Sequence, residues 1–197
     1  MTQPAIPGYD YGSAALARSP VSVEDLELLR KTVLFTAEDE AALRKSKEIL
    51  EPQVEQILDV WYGFVGSNPH LVAAFCDPAT GQPDTHYLEA VRRRFGQWIL
   101  DTASARYDQA WLDYQHEIGL RHHRTKKNRT DGALGSAHVP FRYLVALLYP
   151  VTATLRPFLE KGGTAPQEVE KMHQAWIKSV LMQVILWSWP YVKDGDF

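Results

Sequence analysis

Between Ser22 and Pro190 the chain carries helix start and stop signals and no strand signal. Ser22 with Asp25 and Thr36 with Asp39 form S/T-x-x-D capping boxes, each just ahead of an apolar-periodic run. They predict helices over about 23–33 and 37–50, the second with Leu43, Ser46 and Leu50 on one face. Pro52 either breaks the ladder or sits in the first turn of a helix over 52–66, where Val54, Ile57, Leu58, Trp61, Tyr62 and Val65 recur at i, i+3, i+4 spacing. Asn68-Pro69 starts a short helix to Phe75, and 77–84 reads as a loop. Longer helices are predicted over 85–101, 107–125, 140–160 and 166–189. Thr164 with Gln167 announces the last of them and Pro190 stops it, while Pro150 and Pro157 should kink or end the one before. No period-2 alternation and no hairpin dipeptide occurs, so the class is all-α.

The 197 residues suffice for one well-filled core and fall short of two ordinary domains. No repeat or composition shift divides them, so residues 22–197 are expected to form one domain, with 1–21 as an arm. Pro4, Pro7, Gly8, Gly12 and Pro20 keep that arm from being helix or strand. Such a terminus ordinarily frays, but the Ile6-Pro7-Gly8-Tyr9 cluster is sticky enough to argue for docking. Eight or so unequal helices interrupted by prolines do not suit an up-down four-helix bundle. They suit a globin-like sandwich, with helices crossing steeply around a buried ligand and an extra helix ahead of that core. Six tryptophans hint at a large apolar ligand or an extended interface.

Several function classes are excluded. A net charge of −3 gives no overall basic field for nucleic acid. The single cysteine, Cys76, allows neither an internal disulfide nor a thiolate zinc cluster. The N-terminus lacks a secretory pattern, and the most apolar stretch, Trp176 to Trp189, contains Lys178 and Gln183 and is too short to span a bilayer. A reducing cytoplasm is the expected compartment. No HExxH, G-x-S-x-G, Walker loop or G-x-G-x-x-G occurs.

Among seven histidines, His122 is the informative one. On a helix it lies on the apolar stripe with Trp111 and Ile118, near the helix end, whereas His123 shares a face with Leu112, His116 and Gly119. A histidine so placed is ordinarily a satisfied core residue. The alternative is an axial ligand to haem iron, with its second nitrogen bonded to a carbonyl of the preceding turn. Arg121, Arg124, Lys126, Lys127 and Arg129 read first as a solvated, dipole-complementing helix end and second as counter-charge for haem propionates. Core packing explains Trp61. Tyr62 is more telling, because a buried phenol wants a partner and iron-bound dioxygen is one candidate. The Trp176–Trp189 stripe with helix 140–160 reads as half of a helical dimer interface or, nearly as well, as an internal core face.

These residues resemble the protoglobins, single-domain haem proteins related to globin-coupled sensors. The resemblance runs through Ile6-Pro-Gly-Tyr9, Ile57-Leu-Asp-Val-Trp-Tyr-Gly-Phe-Val65, Arg92-Arg-Arg-Phe95, Trp98-Ile-Leu-Asp-Thr102 and Tyr107-Asp-Gln-Ala-Trp-Leu-Asp-Tyr114. It continues through Glu117-Ile-Gly-Leu-Arg-His-His-Arg-Thr-Lys-Lys127, Tyr149-Pro and the closing Pro190 to Phe197. It implies haem b (iron protoporphyrin IX) with His122 as the proximal iron ligand, Tyr62 as the distal hydrogen-bonding residue and Trp61 gating ligand entry. Phe75, Val91, Arg94, Phe95, Leu147 and Val151 complete the implied cofactor-binding set. It also implies an arm over the haem edge, apolar gas tunnels and a homodimer through the last two long helices. Leu147, where relatives carry Phe, and Ala73-Ala74, where they carry a Tyr pair, subtract aromatic volume and imply a roomier pocket.

The expected function is reversible binding of O2, CO or NO, as a carrier, scavenger or sensor input. A haem enzyme (NO dioxygenation, peroxidase or nitrite chemistry, or promiscuous carbene transfer) is the alternative, and it would need an external reductant for redox turnover. A cofactor-free helical interaction module is the third reading. A chain of this length leaves no room for an output domain, so any signalling is expected to pass through a separate partner.

Overall fold

The two capping boxes begin their helices at the expected residues. The structure is a computed structural model and describes residues 5–193 and 195–197, so Pro4 of the arm and Asp194 of the closing motif lie outside the described residues. Ser22 Oγ accepts the Asp25 N–H at 3.0 Å and starts α1, Val23–Thr32. The Thr36 N–H donates to Asp39 Oδ2 at 2.7 Å at the start of α2, Ala37–Leu50. Pro52 lies in a one-turn 3-10 segment, Glu51–Gln53, which separates α2 from α3, Val54–Gly66. The short helix after Asn68 divides into α4, Pro69–Val72, and a 3-10 turn, Ala73–Phe75.

Asp84 and Asp108 side chains accept N–H groups two residues inside α5, Thr85–Ala103, and α6, Gln109–His122. The α6 helix therefore starts two residues later than predicted. It also stops three residues earlier, because His123 is extended and the His122 carbonyl accepts instead from Val139 N–H at 2.8 Å. The predicted helix over 140–160 is two: α7, Phe141–Ala146, and α8, Leu148–Glu160. Pro150 has no N–H to offer the Ala146 carbonyl, which accounts for the break at Leu147, whereas Pro157 is carried inside α8. The last helix, α9, spans Pro166–Ser188. The Thr164–Gln167 box does not form: Ala165 is the cap residue, Pro166 occupies the first turn, and Thr164 Oγ1 is buried without a partner.

Among the described residues there are seven α-helices of ten residues or more, two short ones and no strand. The α9 helix is the central strut. It packs on α2, α6 and α8 and buries Val169, Met172, Ala175, Trp176, Val180, Met182, Val184 and Leu186. Its polar core positions are satisfied. Gln183 Oε1 accepts from Trp98 Nε1 at 2.6 Å, and Ser46 Oγ accepts from Trp176 Nε1 at 2.9 Å. Among the described residues no helix is long and apolar enough to cross a membrane.

From residue 5 onward the arm is docked rather than frayed. Arg94 donates to the Pro7 carbonyl at 2.9 Å, Arg121 to the Gly8 carbonyl, and the Tyr9 hydroxyl to Asp101 at 2.7 Å. Gly8 has φ +70°, and a Cβ there would lie 2.6 Å from Arg94 Nη1 and 2.7 Å from Thr130 Cγ2, so only glycine suits both the backbone and the space.

Helices α6 and α9 approach closely at Gly119, where a Cβ would sit 3.0 Å from Trp187 Cα and 3.1 Å from its carbonyl oxygen. Gly119→Ala must push α6 off α9 and is expected to cost about 1–3 kcal/mol. Denaturant unfolding should show a lower midpoint at unchanged slope; an unchanged midpoint would contradict the contact.

Candidate haem site

Helices α3, α5, α6, α7, α8 and α9 enclose a cavity of about 270 Å³ whose lining is mainly apolar. Every site residue predicted from the sequence lines it: Trp61, Tyr62, Phe75, Val91, Arg94, Phe95, His122, Leu147 and Val151. Trp61 is buried between Phe64 and Phe95, at ring-centroid distances of 5.5 and 5.6 Å. Phe95 stacks on Trp98 at 5.1 Å. Leu147 stands at the break between α7 and α8 and joins Phe75, Tyr143 and Val151 around the Trp61 cluster. Ala74 lines the cavity, but Ala73 is exposed and does not.

The geometry separates the two adjacent histidines. His122 Nδ1 donates to the Ile118 carbonyl at 2.8 Å, which leaves Nε2 with the lone pair. Nε2 has no hydrogen-bond partner among the described residues. Burial holds the imidazole below its ordinary 6.5 and so keeps it neutral. Its ring stacks on Trp187 at 5.5 Å, with the planes 13° apart. His123 instead faces outward, with Nδ1 at 2.6 Å from Thr125 Oγ1 and its ring edge-on to Tyr191.

Tyr62 supplies the second polar group. Its hydroxyl also has no partner among the described residues, and burial raises its pKa far above the ordinary 10.0. The phenol therefore stays protonated and can donate. Arg94 is held by Asp131 through two hydrogen bonds of 2.9 and 2.6 Å.

Sequence reasoning missed Tyr87, Asn128, Asp131, Tyr143 and Trp187, all of which line the cavity, and named Lys127 only as one member of the basic run weighed as propionate counter-charge. Tyr87 was legible as one turn before Val91, on the stripe it shares with Arg94 and Trp98. Lys127 was hidden in a basic run whose members Arg124 and Arg129 are solvated, as that run suggests.

No cluster of three His, Cys, Asp or Glu side chains exists among the described residues to chelate a bare ion. The buried donor is one neutral imidazole, His122, over an apolar slot; the other histidine on the wall, His70, is exposed. That arrangement fits a metal whose other ligands arrive with it, as a porphyrin supplies, so the residues fit a haem.

The fold is that of a globin. The structure matches the globin domain of the Geobacter sulfurreducens globin-coupled sensor with a TM-score of 0.65, covering 85% of this chain and 98% of that one at 15% identity. Comparison with curated proteins returns no match. The Protoglobin family profile matches residues 22–197, and the chain belongs to that family. It is a haem globin.

His122 is buried neutral here and free to protonate when unfolded. Its share of stability is therefore complete above about pH 6.5 and is lost as pH falls toward the depressed folded value. Haem-free protein unfolded by denaturant from about pH 7.5 to about pH 5 should weaken, and His122→Leu should weaken less over that interval. Equal losses would contradict the buried neutral imidazole.

Proposed function

We propose that this protein binds diatomic gases (O2, CO and NO) reversibly at a haem iron, as a carrier, scavenger or sensor input. The observation that carries this reading is that His122 Nε2 and the Tyr62 hydroxyl, both without a protein partner among the described residues, share the wall of one apolar cavity. The cofactor is haem b. Covalent c-type attachment needs paired cysteines, and the lone Cys76 does not line the cavity.

Bound there, haem supplies an iron with a coordination position open to a small ligand. His122 holds the iron through Nε2, with the Ile118 carbonyl fixing the tautomer and orientation of the ring. Phe75, Val91, Phe95, Leu147 and Val151 exclude water, and Trp61 stands beside the entry. The Tyr62 hydroxyl would donate a hydrogen bond to a polar diatomic, and Arg94 would serve the polar end of the slot.

The arm comprises residues 1–21 and the domain 22–197, in a cytoplasmic protein. A second copy docks through the segments predicted as the last two long helices, 140–160 and 166–189; exposed apolar side chains on the first of these, Phe141 and Val145 on α7 and Tyr149 on α8, support that reading, and Tyr149 is 77% exposed.

Ferrous haem-loaded protein, studied by stopped-flow mixing, tests the reading. Tyr62→Phe should speed O2 dissociation about tenfold or more, since a hydrogen bond to a charged acceptor is worth roughly 1.5–3 kcal/mol; an unchanged rate would remove Tyr62 from the role. Leu147→Phe should slow CO association by filling the pocket, and equal rates would contradict a roomier site.

A further inference from the structure

Four basic side chains line the cavity: Arg94, Arg121, Lys126 and Lys127. A buried charge is costly unless an opposite charge accompanies it. Arg94 has both oxygens of Asp131. Arg121 has Glu117 and Asp10, and Lys126 has the second oxygen of Glu117. Lys127 differs from them. It is 7% exposed, and no carboxylate among the described residues pairs with it. Its ammonium donates only to neutral oxygens: the Ala74 carbonyl at 2.9 Å, the Tyr87 hydroxyl at 3.1 Å and Asn128 Oδ1 at 3.0 Å.

The Tyr87 hydroxyl is the second observation. Tyr87 is 6% exposed and its oxygen accepts from Lys127, yet its own O–H donates to nothing among the described residues. A hydroxyl that accepts from an ammonium becomes a stronger donor in turn. Asp131, which is ion-paired with Arg94, acts on Lys127 only through space. The wall thus presents one charge without a carboxylate of its own and, on the same pair, one donor without an acceptor. A carboxylate supplies both, because it is anionic and only accepts.

We propose that Lys127 and Tyr87 form a carboxylate-binding pair for a porphyrin side chain, with Tyr87 donating the hydrogen bond and Lys127 supplying the charge behind it. This rests on the haem reading and deepens it by fixing which edge of the cavity takes an acidic edge of the macrocycle. Arg94, already neutralised by Asp131, is not the source of that charge. Burial pushes the Lys127 ammonium down to about 8, and a bound carboxylate would lift it again. Affinity for an acidic porphyrin should therefore fall as pH rises past that value.

Metal-free protoporphyrin IX and its dimethyl ester, titrated into haem-free protein with tryptophan fluorescence as readout, separate the charge from the rest of the fit. Wild type should bind the diacid about tenfold more tightly than the ester, the scale of one hydrogen bond to a charged group. Lys127→Met should abolish that preference with ester affinity unchanged, and Tyr87→Phe should remove part of it. Equal weakening of both porphyrins by Lys127→Met would make the lysine a strut between the Ala74 turn and the following loop, and would overturn the proposal. So would a preference that survives both substitutions. If Lys127→Met does not fold, Tyr87→Phe decides alone, and an unreduced preference overturns the pair. Gas binding plays no part in this comparison, so its failure would be seen separately.

Discussion

The hydrogen bond from His122 Nδ1 to the Ile118 carbonyl is the contact on which the functional reading depends. It fixes the tautomer, and with it which nitrogen keeps a lone pair in an apolar cavity. Burial opposes protonation, so the ring remains a neutral ligand at ordinary pH. The bond exists because α6 stays regular up to His122 and then ends. With His123 extended, the second imidazole turns away toward Tyr191. Trp187 over the ring, held by its indole N–H on Gln115 at 2.8 Å, completes the setting, and Gly119 lets α9 come close enough to place it.

Much of this was legible in the sequence, and for physical reasons. Capping boxes and apolar periodicity are local, so the class, the early helices and the stripe carrying Trp61 and Tyr62 could be read directly. Proline effects were legible in kind but not in place. Pro150 was expected to disturb its helix, and the break falls three residues earlier, where the lost hydrogen bond has its acceptor end. Thr164 and Gln167 satisfied a cap pattern that the chain does not use, because Pro166 already provides a first-turn residue.

What was not legible depends on pairing across the fold. The basic run around His122 looks uniform, yet its members have unlike fates: Arg121 grips the arm, Lys126 meets Glu117, Arg124 is exposed, and Lys127 turns inward to Tyr87. No spacing rule separates adjacent Lys126 and Lys127 once the helix has ended. The α9 stripe was ambiguous between core and interface for a similar reason. It proves to be mostly core with Leu181 left exposed, while Phe141 and Val145 on α7 and Tyr149 on α8 are exposed apolar positions beside it in sequence.

The central claim is that His122 and the apolar slot bind haem with a position open to a gas. An absorption spectrum of the haem-reconstituted protein, before and after dithionite and then CO, tests it most directly. The account predicts a sharp Soret band that shifts to a histidine-ligated ferrous CO form, retained in His123→Ala and lost in His122→Ala. No Soret band from a protein that keeps its helical circular dichroism would contradict it.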